Sequence, residues 1–436
     1  VGCSKVLFEE SIMPDVFDRI SDWSQKLAFF EGEVGGLVEH LSHRLIDGGV
    51  PVARVSLGRL MMHPVIGLVD ATWDISTDRI EWTVMPRSSI TDELFDSAPF
   101  GENTKLSDQV ASRFFRREIW DLADSLVGEL EMVPLLRANL TNQSIRDKYP
   151  IYQKLASSGF TDYLVLSVPF GTRTVSFDNG SEWVLGASVS FATKRRSGFT
   201  QREIDGLARL SIPLFGTVRV YTEQFLAAEL MEAYLGRISG QSVLNGQISR
   251  GDVQEIDCAL LFSDMHGSTA LSQRLSPEDY VAVVNRYFEC VAGAVHDHGG
   301  EVLKFVGDGL LAIFPFDGHR RLPEDMCEAA LSAAREAFQR RAEIAPDYQT
   351  DFGIGLHMGS AIYGNVGTEK RLDFTVTGTS VALVSRLENL TRSLDAPLLA
   401  TSDFEKLVSE TPLALGSQTM RGFEEAVEIF AFKHLD

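Results

Sequence analysis

Two aspartates, Asp264 and Asp308, stand where apolar runs of the chain give out. Asp264 follows the run 259–262, which reads as a buried strand. It opens a polar, glycine-containing turn ahead of a helix beginning near Pro277. Asp308 lies in Gly307-Asp308-Gly309, between two short apolar runs, and that is a hairpin signal. Neighbouring strands bring the two carboxylates together. Side by side they repel and raise each other's pKa, so such a pair at the solvent edge of a sheet implies a cation between them. Hard oxygen ligands suit Mg²⁺ or Mn²⁺. Either aspartate alone is also an ordinary turn residue, so the weight rests on further motifs at fixed distances from them.

The segments CALLFSDMHGST (258–269), GGEVLKFVGDGLLAIF (299–314) and RLDFTVTGTSVALVSRLENL (371–390) together resemble the class III nucleotidyl cyclases, the family of adenylyl and guanylyl cyclase catalytic domains. The resemblance spans 253–436. It implies two metal ions per active site, held by Asp264 and Asp308, and a homodimer with the site between protomers. Beyond Asp264, the loop Met265-His266-Gly267-Ser268-Thr269 leads toward a helix, and backbone N–H groups there suit phosphates. Lys304 stands four residues before Asp308 on an apolar strand whose alternation places Val302, Lys304 and Val306 on one face. At this spacing the family has its purine-selecting lysine, which donates to adenine N1. Thr375 falls where the family reads the adenine amino group, and a threonine oxygen can accept that bond. Arg386 matches the arginine that stabilises charge on the transferring phosphate.

The resemblance therefore implies an adenylate cyclase, forming 3′,5′-cyclic AMP and pyrophosphate from ATP. Ser268 stands where the family usually has an aromatic, a departure that touches packing more than chemistry. Two further positions depart from the pattern. Ala382 occupies the place of the family's transition-state asparagine, and Val427 lies near the place of a triphosphate-binding lysine. The alternative is a nucleotide-binding regulator that keeps the fold and metal site without turnover. A diguanylate cyclase is disfavoured, since no GGDEF-like run is present.

The elements that must position these residues read as α/β (α+β), with ferredoxin-like βαββαβ character in the catalytic part. The helix from Pro277 to His298 is expected to bury Val281, Val284, Phe288, Val291 and Val295, and DFGIGLHMGSAIYGNVG (351–367) reads as a central strand.

Upstream, 12–48 reads as one long amphipathic helix, followed by strands at VARVSLGRLMM, VIGLVDATWD and DRIEWTVMP. A less regular stretch to about Pro150 comes next, then a helix near Tyr149–Ser158 and strands at TDYLVLSVPF and EWVLGASVSFAT. Asp178-Asn179-Gly180 marks a hairpin tip between those strands. This order, closed by SGFTQREIDGLARL (197–210) with Thr200 and Glu203 as a capping box, resembles a GAF-type sensor. The expected division is 1–212 GAF-like sensor, 213–252 helical connector and 253–436 catalytic domain. The sensor's small-molecule or cofactor ligand is left open. His40 and His43, one helical turn apart, and Cys3 are candidate cofactor ligands, but a solvated basic cluster is the plainer reading. From Leu207 a helical pattern continues to Gly236, and the Gly- and Ser-rich run to Asp252 reads as a junction.

The 436-residue length calls for two domains rather than one core. A formal net charge of -21 disfavours nucleic acid and anionic membrane as general partners, and it means an anionic nucleotide needs metal and local cations. No apolar run reaches membrane-spanning length, no leader-like segment is visible, and four cysteines without CxxC spacing fit a reducing compartment. The expectation is a cytoplasmic protein without a transmembrane segment.

Overall fold

The structure, a computed structural model, describes residues 15–30, 32–89, 135–176, 182–316, 321–344 and 351–433. Cys3 and the tip Asp178-Asn179-Gly180 lie outside them. The chain divides into two compact units, Val1–Glu229 and Leu230–Asp436.

In the first unit the expected single helix is two, α1 (Val16–Leu27) and α2 (Val34–Asp47). The break is fixed by a close approach. The Tyr221 hydroxyl donates to the Leu27 carbonyl at 3.2 Å, and a Cβ on Gly32 would lie 2.5 Å from that hydroxyl, so the chain passes there only as glycine. Then come β1 (Arg54–Leu60), β2 (Ile66–Asp74), β3 (Arg79–Pro86), β4 (Leu135–Asn139), α3 (Gln143–Arg146), α4 (Pro150–Ser157), β5 (Asp162–Ser176) and β6 (Glu182–Thr193). They form an antiparallel sheet of order β3-β2-β1-β6-β5-β4. β4 falls in the stretch that reads as irregular; of its five residues only Ala138 is buried, so no alternation betrays an edge strand.

One sheet face packs on α1, α2 and α5 (Gln201–Leu235) through Leu41, Leu57, Trp73, Val189 and Leu210. α5 opens as the sequence predicts. The Thr200 N–H donates to the Glu203 carboxylate at 2.7 Å, and the Glu203 N–H returns a 3.4 Å bond to the Thr200 hydroxyl. His43 lies 2.7 Å from the Asp78 carboxylate, and His40 sets its ring edge-on to Trp23.

The second unit begins within α5 and continues through α6 (Arg237–Leu244), β7 (Val253–Met265), α7 (Ser268–Ser272), α8 (Pro277–Asp297), β8 (Glu301–Val306), β9 (Gly309–Pro315), α9 (Pro323–Ile344), β10 (Phe352–Thr368), β11 (Arg371–Thr377), α10 (Thr379–Ser393), β12 (Leu398–Thr401), α11 (Ser402–Glu405), β13 (Leu413–Gln418) and β14 (Val427–Ala431). Its sheet runs β13-β14-β12-β10-β7-β9-β8, with β11 paired to β10. Helices α8 and α9 cover one face through Ala259, Leu261, Phe314 and Phe352. Val384 of α10 and Ile238 of α6 pack on the other with Cys258, Leu260 and Tyr363.

Two expectations need correction. Val291 and Val295 are buried and Val284 and Phe288 partly so, but Val281 is 54% exposed, and α8 also buries Val283, Tyr287, Cys290 and Ala294. The true stripe runs 283-287-290-294, and Val281 lies off it. The junction after Gly236 also contains a helix, α6, docked on the sheet of the second unit. Its Ile238 N–H donates to the buried Glu301 carboxylate at 2.7 Å, and Ser239 and Tyr363 share a 2.7 Å hydroxyl contact. Gly240 lets α6 press against the backbone of Met231, where a Cβ would come within 2.9 Å. Polar composition concealed this because α6 is held by hydrogen bonds as much as by apolar side chains.

Candidate active site

Asp264 sits one residue from the end of β7, on the face that α10 covers. Its register partners are Gly309 on β9 and Gly353 on β10, so glycine flanks it on both sides. That choice has a steric cause. A Cβ on Gly309 would lie 2.9 Å from Asp264 Oδ1, and one on Gly353 would lie 2.7 Å from Glu388 Oε1 and 3.0 Å from His266 Nε2. The two glycines leave room for polar groups at a sheet edge. Asp308 belongs to the two-residue turn between β8 and β9, which Gly307 closes with φ +66°. The Met265 N–H donates to the Asp308 carbonyl at 3.3 Å, tying the turn to the end of β7.

The electrostatics follow from that proximity. Burial, with the charges of Asp308 and Glu388 added, pushes Asp264 up to about 6, while Arg392 and His266 pull it down. Arg392 Nη2 stands 3.5 Å from Asp264 Oδ2. Glu388 is 1% exposed and its Oε1 has no hydrogen-bond partner; His266 Nε2 lies 3.7 Å from it. Sequence reasoning missed both Arg392 and Glu388. They lie one turn apart on α10, with Glu388 one turn beyond the buried Val384, a 3.6-residue stripe that could have drawn attention to them.

The remaining candidates are placed unequally. Lys304 is on the wrong side for simple alternation. The β8–β9 register slips between Val302 and Lys304, and this bulge puts Leu303 and Lys304 successively toward β11 while Phe305 packs on Phe288 with ring centroids 4.4 Å apart at a 49° tilt. Lys304 is ion-paired with Asp373, two residues before Thr375 on β11, and not with Thr375 itself. Thr375 is half-buried opposite Gly364. Arg386 donates to the Ala382 carbonyl at 2.9 Å and lies 5.7 Å over the Phe423 ring; the arginine facing Asp264 is Arg392. Met265, expected in the phosphate loop, is fully buried in the core under α8 and its N–H is taken, so it supports the loop from beneath. The His266 N–H is likewise taken, by the Asp351 carbonyl at 2.6 Å. Gly267 turns the chain at φ +74°, and Ser268 and Thr269 begin α7.

Residues 252–397 match the sequence family described as the adenylate and guanylate cyclase catalytic domain. The second unit thus contains a stretch similar to an adenylate/guanylate cyclase catalytic domain. An uncharacterised Mycobacterium tuberculosis protein is 39% identical to the chain over 175 residues, 39% of this chain and 32% of that one. Adenylate cyclase 1 of Rhizobium meliloti is 32% identical over 179 residues, 39% of this chain and 26% of its own. The chain thus matches about a third or less of the length of these relatives. Among solved structures, an adenylyl cyclase from P. aeruginosa is 26% identical, with 41% of this chain and 94% of that one covered at a TM-score of 0.36. The cyclase domain's family model ends at residue 397, so β12 to β14 lie beyond it.

Among the described residues no group of three or more His, Cys, Asp or Glu side chains forms a metal cage, and no helix is long and apolar enough to cross a membrane. Two carboxylates still fit a divalent ion of the Mg²⁺ kind, which keeps most of its shell for water and phosphate oxygens. The raised Asp264 sets a pH dependence. Between about 4 and about 6 the native state holds a proton that the unfolded chain has released, so metal-free stability falls as pH rises through that window. Asp264→Asn is therefore expected to raise the melting temperature of the metal-free protein near pH 7, with the gain shrinking toward pH 4. Calorimetric melts in chelator across this range check it, and an unchanged or lowered value near pH 7 contradicts it.

Proposed function

We propose that the chain is an adenylate cyclase, converting ATP to 3′,5′-cyclic AMP and pyrophosphate at a site completed by a second copy of itself. One observation carries this reading: within the matched domain, Asp264 and Asp308 converge at a glycine-flanked sheet edge with a carboxylate pushed up to about 6. Two divalent ions bound there would lower the 3′-hydroxyl pKa and neutralise phosphate charge. The chain's own residues supply the rest. Lys304 offers a donor to adenine N1 once released from Asp373, and Thr375 offers an acceptor to the amino group. Arg386, braced by the Ala382 carbonyl and the Phe423 ring, presents its guanidinium to the transferring phosphate. Gly267, Ser268 and Thr269 stand nearest the phosphates, with His266 behind them.

In one chain Arg386 turns toward Phe423 and not toward the aspartates, which supports a site shared between two protomers. Phe305 and Val306, each 51% exposed beside the β8–β9 turn, offer apolar surface for that pairing. The order β10-β7-β9-β8 with α8 and α9 on one face supports the ferredoxin-like description, and β3-β2-β1-β6-β5-β4 between helices supports a GAF-like sensor that regulates the dimer. A second reading, a nucleotide-binding regulator without turnover, is favoured by one residue, Ala382.

Assay of the full chain with Mn²⁺-ATP and with Mn²⁺-GTP tests the proposal. ATP should be preferred, and Lys304→Glu should cut that preference by about tenfold or more, since a purine edge group matched to the wrong partner once bound costs about 1–3 kcal/mol. A preference for GTP in the unmodified chain overturns the purine assignment.

A further inference from the structure

The sheet of the first unit has a second face, opposite α1, α2 and α5, and its centre is polar although it is buried. Register aligns two rows across four strands. One is Thr72, Ser56, Ser190 and Val165; the other is Asp70, Gly58, Ser188 and Ser167, with Thr83 of β3 beside Asp70. Asp70 and Ser56 are 2% exposed, Ser188 4%, Ser190 6% and Ser167 0%. Apolar clusters bound the rows, with Tyr163, Val165 and Ala192 at one end and Leu60, Leu68 and Met85 at the other. A sheet that needed only a core here would carry apolar side chains across the gap.

Several of these polar atoms lack partners. The hydroxyls of Ser167, Ser190 and Thr83, and Nη1 of Arg54, are buried with no hydrogen bond. Asp70 accepts from Ser56 and from Thr72, both at 2.7 Å, and among the described residues no cation pairs with it. Arg54, one row along, donates to Thr72 at 3.2 Å through its other nitrogen. Gly58 leaves a notch between Asp70 and Ser188; a Cβ there would lie 3.3 Å from Asp70 Oδ2 and 3.6 Å from Ser188 Oγ. Unmet hydroxyls around a buried carboxylate and a half-used guanidinium cost stability unless something completes them.

We propose that this face binds a small zwitterion of the α-amino-acid type. Its ammonium group sits at Asp70 over Gly58, its carboxylate meets Arg54 Nη1, and its side chain, running across Ser188 toward β5, meets the hydroxyls of Ser190 and Ser167. The opposite charges at Asp70 and Arg54, separated by one hydroxyl relay, select a ligand that carries both.

The test uses the dialysed full chain and melting curves with each proteinogenic amino acid separately at about 5 mM, with ammonium chloride as the charge control. At least one amino acid should raise the melting temperature by about 3 °C or more, and ammonium chloride should not. Asp70→Asn and Arg54→Gln should each remove the shift, with circular dichroism confirming their fold. Ser167→Ala is the variant least exposed to misfolding, since it deletes an unpaired hydroxyl. It should weaken binding about tenfold by titration calorimetry while the unliganded melting temperature holds or rises. The proposal is overturned if every amino acid is inert, if the shift survives both charge variants, or if Ser167→Ala binds as tightly as the unmodified chain.

Discussion

Replacing either Asp264 or Asp308 with alanine should lower cyclase turnover by more than about a thousandfold, a barrier increase of about 4 kcal/mol. The size follows from what each carboxylate is asked to do. Among the described residues no third side chain joins the pair in a metal-holding group, so losing one carboxylate would remove half of the hold on the ions. The fold should survive. Asp264 contributes only a 3.5 Å ion pair to Arg392 and is disfavoured as an anion by its burial, while Asp308 sits in a turn where φ is set by Gly307. Cyclic AMP formation from Mn²⁺-ATP, with circular dichroism and elution volume as controls, reads out both halves of the expectation. Near-normal turnover in either variant would remove the paired-carboxylate assignment.

Ala382→Asn should raise turnover by about 10²- to 10³-fold, because restoring one donor aimed at developing charge is worth about 2–4 kcal/mol. Ala382 is half-buried in the first turn of α10, and its carbonyl already positions Arg386, so a longer side chain there would project beside the arginine. The backbone bond to Arg386 does not depend on the side chain and should persist. Steady-state rates of both proteins under one metal and nucleotide concentration decide the matter. A variant as slow as the parent would favour the regulator reading over the enzyme.

Particular residues show how much of this was legible beforehand. Asp264 and Asp308 could be read because strand and hairpin signals are local, and a turn such as Gly307-Asp308 needs only its own residues to be recognised. The capping box at Thr200 and Glu203 was visible for the same reason. Lys304 was misplaced because alternation assumes an unbroken ladder, and the bulge at Leu303 depends on how β8 meets β9. The α1–α2 break was hidden because its cause, Tyr221, is distant in sequence. Arg392 and Glu388 went unread because what they face, Asp264 at the end of β7 and Gly353 on β10, is distant in sequence. α6 was hidden by composition, since a segment rich in glycine and serine looks like a tether when its buried partner, Glu301, lies elsewhere in the chain.

The bond ladder between β7 and β10 runs without a slip from Met265 opposite Phe352 to Val253 opposite Gly364. It has consequences for how such a chain can change length over generations. Side chains in a strand repeat every two residues, so one added or lost codon within β7 would turn each residue beyond it to the opposite face. Asp264 would then point into the packing of α8 instead of toward Asp308. β8 has already absorbed one surplus residue at Leu303, and Lys304 owes its orientation to it. The hereditary record of β7 should therefore hold substitutions but no insertions or deletions, whereas in β8 a single lost codon would redirect the lysine and leave both aspartates in place.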